Sequence, residues 1–268
     1  MLKITLIFLL TISSISMIYA QTSVFDKTKI TWLGHAALLI KTQSGREILI
    51  DPFISKNPKT PKKYKDMNLF KGVDLILITH GHGDHMGDYK QLLKLAPKAK
   101  ITMNSDLGKV LLKSKQISKS QYIPFNKSGT ITPFNNQFKV TQVRAEHSSS
   151  VIIKNKVHYG GEPVGFILEF KDGKKIYHAG DTGMFGDMKL IGDFYKPDIA
   201  FLPIGGNYTM GPKEAAYVTN NFLKPKVVVP IHFQTFPILK GSSKEFQNHL
   251  GKSSSKLLII KPGNSTSL

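Results

Sequence analysis

Short apolar runs, broken by glycine and by polar residues, organise this chain and predict strands joined by tight turns with helices between them. Lys29 to Ile40 reads KITWLGHAALLI, strand-type residues on both sides of Gly34-His35. Glu47 to Ile50 continues that character after a Ser44-Gly45 turn, which predicts a hairpin, and stops at Asp51-Pro52-Phe53. The Pro- and Lys-rich stretch Asn57 to Tyr64 reads as a loop able to lie over a site. Val73 to Ile78 closes with four consecutive apolar residues and predicts a buried strand. Asp88 to Ala96 reads as a helix closed by Pro97, Ile101 to Met103 as a short strand, and Ser105 to Lys113 as a helix capped by Ser105.

The second half repeats this grammar. After the turn-rich Asn126 to Asn136 comes a strand, Phe138 to Val143, running out into Arg144-Ala145-Glu146-His147. Lys154 to Gly161 is a Gly- and Lys-containing excursion. Val164 to Phe170 and Lys175 to His178 form a hairpin around Asp172-Gly173, followed by Asp181 as the first hairpin is followed by Asp51. Buried strands are predicted at Asp198 to Pro203 and Val227 to Pro230, with a helix at Lys213 to Phe222 between them and a last strand at Leu257 to Lys261. Two β-halves flanked by helices, with a seam near Asn126 to Asn136, predict one α/β domain over residues 21–268. The expected architecture is four-layered, helices outside two packed sheets, with strand ends meeting along one edge where ligands belong.

Chemistry concentrates in THGHGDHMGD, Thr79 to Asp88. His80, His82, Asp84 and His85 fall within six residues at the end of the buried strand, separated by Gly81 and Gly83. Imidazole nitrogen and carboxylate oxygen are ligands for a borderline divalent cation such as zinc. In an extended stretch His80, His82 and Asp84 share one side, and a glycine-bearing loop can bring His85 beside them. Four ligands this close suit two adjacent metals better than one. His147, Asp181 and His232 each stand just past a predicted strand, on the same convergent edge.

HGHGDH after a strand, then a lone histidine, HAGDTG, and PIH near the C-terminus resemble the metallo-β-lactamase superfamily. ITWLGHAALLI, ILIDPF, HSSS, YGGEPVGFIL, LPIGGNYTMGP and VVPIHFQTFP resemble, within it, an uncharacterised family of metal-dependent hydrolases related to ascorbate-6-phosphate lactonases and N-acylphosphatidylethanolamine phospholipase D. The likeness spans Lys29 to Leu268 and is weak over Leu112 to Ser128. It implies a four-layer αββα sandwich and two divalent ions, zinc foremost, with Mn, Fe, Ni and Co also compatible. It assigns His80, His82 and His147 to one ion, Asp84, His85 and His232 to the other, and Asp181 as the bridge, with the ions about 3.5–4 Å apart. Asp84 is also placed to take a proton. One departure is that Asp88 stands where a glycine is usual, with Gly87 one residue earlier. Asp51 is a candidate to hold the outer nitrogen of a ligand histidine, or else a turn cap before Pro52. His35 either faces the site or is a core histidine. Asn207 and Tyr208, after a Gly-Gly turn, are candidates to donate hydrogen bonds to substrate or to an oxyanion. His158 and His178 read as structural. Ser148 to Ser150 lack the G-x-S-x-G elbow of a serine nucleophile and read as ordering His147.

The function expected is hydrolysis of a small ester, lactone or phosphoester by metal-activated water. Beside it stand a phosphodiesterase acting on nucleic acid or phospholipid, and a non-catalytic metal-holding envelope protein. The absence of cysteine excludes a thiol nucleophile, thiolate ligands and disulfides. A formal charge of +19 favours anionic ligands, with lysine runs at Lys56 to Lys65 and Lys113 to Lys119, but no nucleic-acid module accompanies it. A homo-oligomer is left open. Residues 1–20 have a single charge at Lys3, an apolar Ile4 to Leu10 broken only by Thr5, and Ala20 before Gln21. This reads as a signal peptide and predicts export to the periplasm or medium, an uncleaved anchor being the alternative.

Overall fold

The computed structural model describes residues 28–267; the predicted signal segment lies outside them. Six strands, β1 (Lys29–Gly34), β2 (Ala37–Lys41), β3 (Glu47–Ile50), β4 (Leu75–Leu77), β5 (Lys100–Thr102) and, from the far end of the chain, β15 (Ser265–Ser267), make the first sheet in the order β15-β1-β2-β3-β4-β5. The second sheet runs β14-β13-β12-β11-β10-β7-β6, built from β6 (Thr130–Ile131), β7 (Phe138–Arg144), β10 (Val164–Phe170), β11 (Lys175–His178), β12 (Ile199–Pro203), β13 (Val227–Ile231) and β14 (Lys256–Leu257). β8 (Ser150–Ile153) and β9 (Lys156–Tyr159) pair only with each other. In both sheets an antiparallel hairpin leads into parallel strands: β2 and β3 then β4 and β5, β10 and β11 then β12 and β13.

Strand alternation sorts the core into three slabs. Ile30, Leu38, Ile48, Ile50 and Leu77 of the first sheet meet Phe166, Leu168, Phe201 and Val229 of the second. The residues between them turn the other way. Leu39, Leu49, Ile76 and Ile101 pack under the helices Tyr89–Leu95 and Ser105–Lys113, and Ile167, Ala200, Leu202 and Val228 under Pro212–Val218 and Ser243–Leu250. Both faces of each sheet are apolar, so the strands read as nearly continuous hydrophobic runs, and a one-residue slip would exchange the two slabs. The expected four layers are present.

Several details differ from expectation. Asn104, not Ser105, caps the helix Ser105–Lys113, its side chain accepting from Leu107 N at 2.9 Å. The Lys154 to Gly161 excursion is the turn and second strand of the β8–β9 hairpin. The helix expected from Lys213 begins at Pro212 and widens after Val218 into a π turn, Thr219–Leu223. The last predicted strand shrinks to Lys256–Leu257. The halves are also not sequential, because β15 crosses back to pair with β1. Among the described residues no helix is long and apolar enough to cross a membrane.

Candidate functional site

The C-terminal ends of β3, β4, β7, β11 and β13 open onto one edge, and each delivers polar side chains there. β4 passes through Thr79 to His80 and His82, and the single turn Gly83–Met86 carries Asp84 and His85. Gly81 is required by close approach: a Cβ there would lie 2.6 Å from the Ser150 carbonyl oxygen. The same contact is fixed by Ser149, whose Oγ accepts from Gly81 N at 3.1 Å and donates to Gly160 O at 3.0 Å. The serine run therefore orders the His80–His82 loop rather than His147. Asp88, in the unusual position, accepts from Ile54 N and Ser55 N, both at 2.8 Å, and so ties the following helix to the segment after β3.

Ring nitrogens of His80, His82 and His147 lie within 4.8 Å of one another, and so do the ligand atoms of Asp84, His85, His232 and His35. Asp181 stands between the two groups. Its Oδ1 is 3.2 Å from His85 Nε2, and its Oδ2 is 3.1 Å from His232 Nε2 and 3.7 Å from His147 Nε2. All seven residues that the resemblance nominates as ligands thus converge. Asn207 and Tyr208 do not join them. Their loop reaches the site's flank through Met210 N, which donates to Thr182 O at 2.9 Å, but the Tyr208 side chain is exposed.

Asp51 governs the tautomers. It is fully buried and ends β3 with a φ of 46°. Oδ1 accepts from Thr79 N at 2.8 Å, and Oδ2 accepts from the Thr79 hydroxyl at 2.7 Å and from His85 Nδ1 at 2.8 Å. With its proton committed to Asp51, the Thr79 hydroxyl accepts from His80 Nδ1 at 3.0 Å. Both histidines therefore carry a proton on Nδ1 and turn Nε2 into the cluster, the orientation of metal-ligating histidines with fixed outer nitrogens. Asp51 caps nothing; it locks two neighbouring strands to the ligand loop.

His35 has a comparable role. Burial first, then His232 with its ring centroid 3.8 Å away, push it down to about 4, so it is neutral near pH 7. Asp84 is held ionised: burial opposes its charge, but the His35 hydrogen bond and His85 outweigh it. Nε2–H of His35 therefore donates to Asp84 Oδ2 at 3.1 Å, and Nδ1 accepts from the Thr235 hydroxyl at 3.0 Å. That leaves His35 no free lone pair, so it orients ligands without being one. Its carbonyl accepts from His232 N at 3.0 Å and from the Trp32 indole at 2.9 Å. His35, Asp51 and His232 all have positive φ, at 56°, 46° and 53°, a strained backbone that clusters at functional sites. His178 is structural, as expected: Nε2–H donates to Ala36 O at 2.8 Å and Nδ1 accepts from Gly180 N at 3.2 Å.

A divalent cation fits this donor set. Among the described residues, buried side-chain atoms lacking a hydrogen-bond partner include His85 Nε2, Asp181 Oδ1 and both ring nitrogens of His232. Unsatisfied buried polar atoms are rare in folded proteins, and here His85 Nε2 and His232 Nε2 both lie beside Asp181. Burial works against the Asp181 charge, yet His232 and His85 hold the carboxyl well below the usual range. Burial alone would lower His85; Asp181 and Asp51 on its two sides raise it well above the usual histidine range. The cluster is thus a pocket of ionised carboxyls that draws positive charge.

Residues 29–232 match a family described as the beta-lactamase superfamily domain. The chain is 45% identical over 241 residues to a UPF0173 metal-dependent hydrolase of Cupriavidus metallidurans, covering 87% of this chain and 82% of that one. It is 40% identical over 271 residues to a protein of the same name from Thermodesulfovibrio yellowstonii, with 98% of both chains covered. Among solved structures it is similar to Igni18, described as a novel metallo hydrolase from Ignicoccus hospitalis, with a TM-score of 0.76, 35% identity, and coverage of 90% of this chain and 98% of that one.

Proposed function

Since the chain belongs to the beta-lactamase superfamily domain family, we propose that it is a metal-dependent hydrolase of a small ester, lactone or phosphoester, working with two divalent ions. The observation that supports this most is the convergence of seven ligand-type side chains, three of which, His85, Asp181 and His232, carry buried atoms with no hydrogen-bond partner. His80, His82 and His147 would hold one ion, Asp84, His85 and His232 the other, and Asp181 would contribute an oxygen to each. When bound, such ions lower the pKa of water toward neutrality and polarise the electrophile.

The chain's own groups supply orientation and proton transfer. Asp51, through Thr79, fixes the rings of His80 and His85. His35 holds Asp84 Oδ2, which leaves Oδ1 to accept the proton of the attacking water. Asp84 is about a third exposed, so its carboxylate is reachable from solvent. The strong positive charge of the chain favours anionic substrates, and a phosphodiesterase is the second reading on that ground.

Elemental analysis of the purified protein, followed by a panel of lactones, phosphomonoesters and bis-p-nitrophenyl phosphate, tests both. Two divalent ions per chain are expected, with hydrolysis of a lactone or monoester that chelation abolishes and metal restores. Hydrolysis of the diester alone would transfer the assignment to the second reading. A folded protein that takes up metal and turns over nothing would end the enzymatic one.

A further inference from the structure

The lysine run at Lys113 to Lys119 has no part in the metal centre, yet it lines the rim of a groove of about 1170 Å³ on the outer helical layer. The groove lies between the helices Tyr89–Leu95 and Ser105–Lys113 and the segment that follows them. Its floor is apolar, with Leu93 and Ile117 buried and Leu112 and Tyr122 half-buried. Six lysines ring it, Lys90, Lys94, Lys109, Lys113, Lys115 and Lys119, and no acidic residue lines it. Lys109 meets Asp106 at 3.4 Å; among the described residues the other five have no carboxylate partner. Lysine stems cover apolar surface while their ammonium groups stay in water, so the rim offers alkyl contact below and charge above.

The groove is not isolated. A second cavity of about 310 Å³, lined by His82, Gly83, Val151 and Ile153 among others, shares Lys90 and Gln116 with it. The two cavities therefore adjoin at Lys90 and Gln116, and the second is lined by residues of the metal-ligating loop.

We propose that this groove is a binding site for an anionic amphiphile, a single alkyl chain bearing a phosphate or carboxylate headgroup. Charge complementarity selects the occupant. A neutral alkyl chain leaves the ammonium groups unanswered, and a bare anion leaves the floor uncovered. The assignment is independent of which bond the metal centre cleaves.

Titration calorimetry with decyl phosphate below its micelle concentration tests it on the full, metal-loaded protein, against inorganic phosphate, decanol and vesicles of phosphatidylglycerol. One decyl phosphate per chain is expected, bound at least about tenfold more tightly than phosphate or decanol. The Lys94→Glu/Lys113→Glu variant should weaken decyl phosphate about tenfold and leave decanol unchanged, with metal content and thermal midpoint as in the parent. Leu112→Ser should weaken decyl phosphate and decanol alike. Equal affinity for phosphate and decyl phosphate, binding indifferent to either variant, or binding to vesicles with none to the monomeric ligand would each overturn the proposal.

Discussion

Replacing Asp181 with alanine is expected to empty the centre of at least one metal and abolish hydrolysis while the fold survives. The carboxylate faces both clusters, through Oδ1 toward His85 and Oδ2 toward His232 and His147. Without it no carboxylate is shared between the two cations to offset their repulsion, and His85 loses the carboxylate before its Nε2. Charge stabilisation by a bound metal is worth several kcal/mol in the transition state, so the rate should fall by roughly a thousandfold or more. The fold is spared because neither Asp181 oxygen holds a backbone group. Metal content by elemental analysis, circular dichroism and the most active substrate of the panel are the measurements. Two ions per chain and full activity in the variant would remove Asp181 from the site and the two-metal reading with it.

Asp51→Ala should do the opposite kind of damage. Both Asp51 oxygens are buried and committed, to Thr79 N, the Thr79 hydroxyl and His85 Nδ1. Truncation strands a buried amide and a buried imidazole, and breaking a buried pair of this kind costs about 3–5 kcal/mol. A shift of that size should appear in the urea midpoint even of the metal-free protein. Asp51→Asn keeps an acceptor for Thr79 N but sets a donor against His85 Nδ1; its metal affinity should fall by about 10–100-fold with a smaller loss of stability. An unchanged midpoint for Asp51→Ala would show that these hydrogen bonds contribute nothing net. The sequence ranks Asp51 behind Asp181 for metal; its buried hydrogen bonds predict the reverse order for stability.

The ligand types, their order and the strands ahead of them were legible because each depends on local spacing: alternation sets the strand faces, and the glycines release the loop. What depends on distant partners was not. His35 is undecidable from GHA alone, because its role follows from Thr235, 200 positions away, and from Asp84. The β8–β9 hairpin was missed because only Val151 and Ile153 are buried, while Ile152 and Val157 opposite each other face solvent, so no amphipathic pattern marks it. β15 reads Ser-Thr-Ser, three polar residues with no apolar signal, which pair with β1 through the backbone and one hydroxyl contact, Ser265 Oγ to Thr31 Oγ1 at 2.9 Å. The lysine run Lys113 to Lys119 carries no sign of a groove in the sequence, and only the fold shows the apolar residues beside it.

The position of β15 also bears on how the protein is made. Lys29, Ile30 and Thr31 pair with Ser267, Thr266 and Ser265, so β1 is completed by residues made much later, Ser265 lying 234 positions after Thr31. Until then the outer edge of β1 is an unsatisfied row of amides and carbonyls, the kind of edge that recruits other chains. Closing a loop of this length delays the contact further. The first sheet can therefore assemble from β1 to β5 early but is sealed only after the second sheet has formed. Pulse-labelled hydrogen exchange during refolding should show the β1 amides that face β15 gaining protection later than those that face β2. Equal timing would mean that the two ends of the chain find each other before the middle is built.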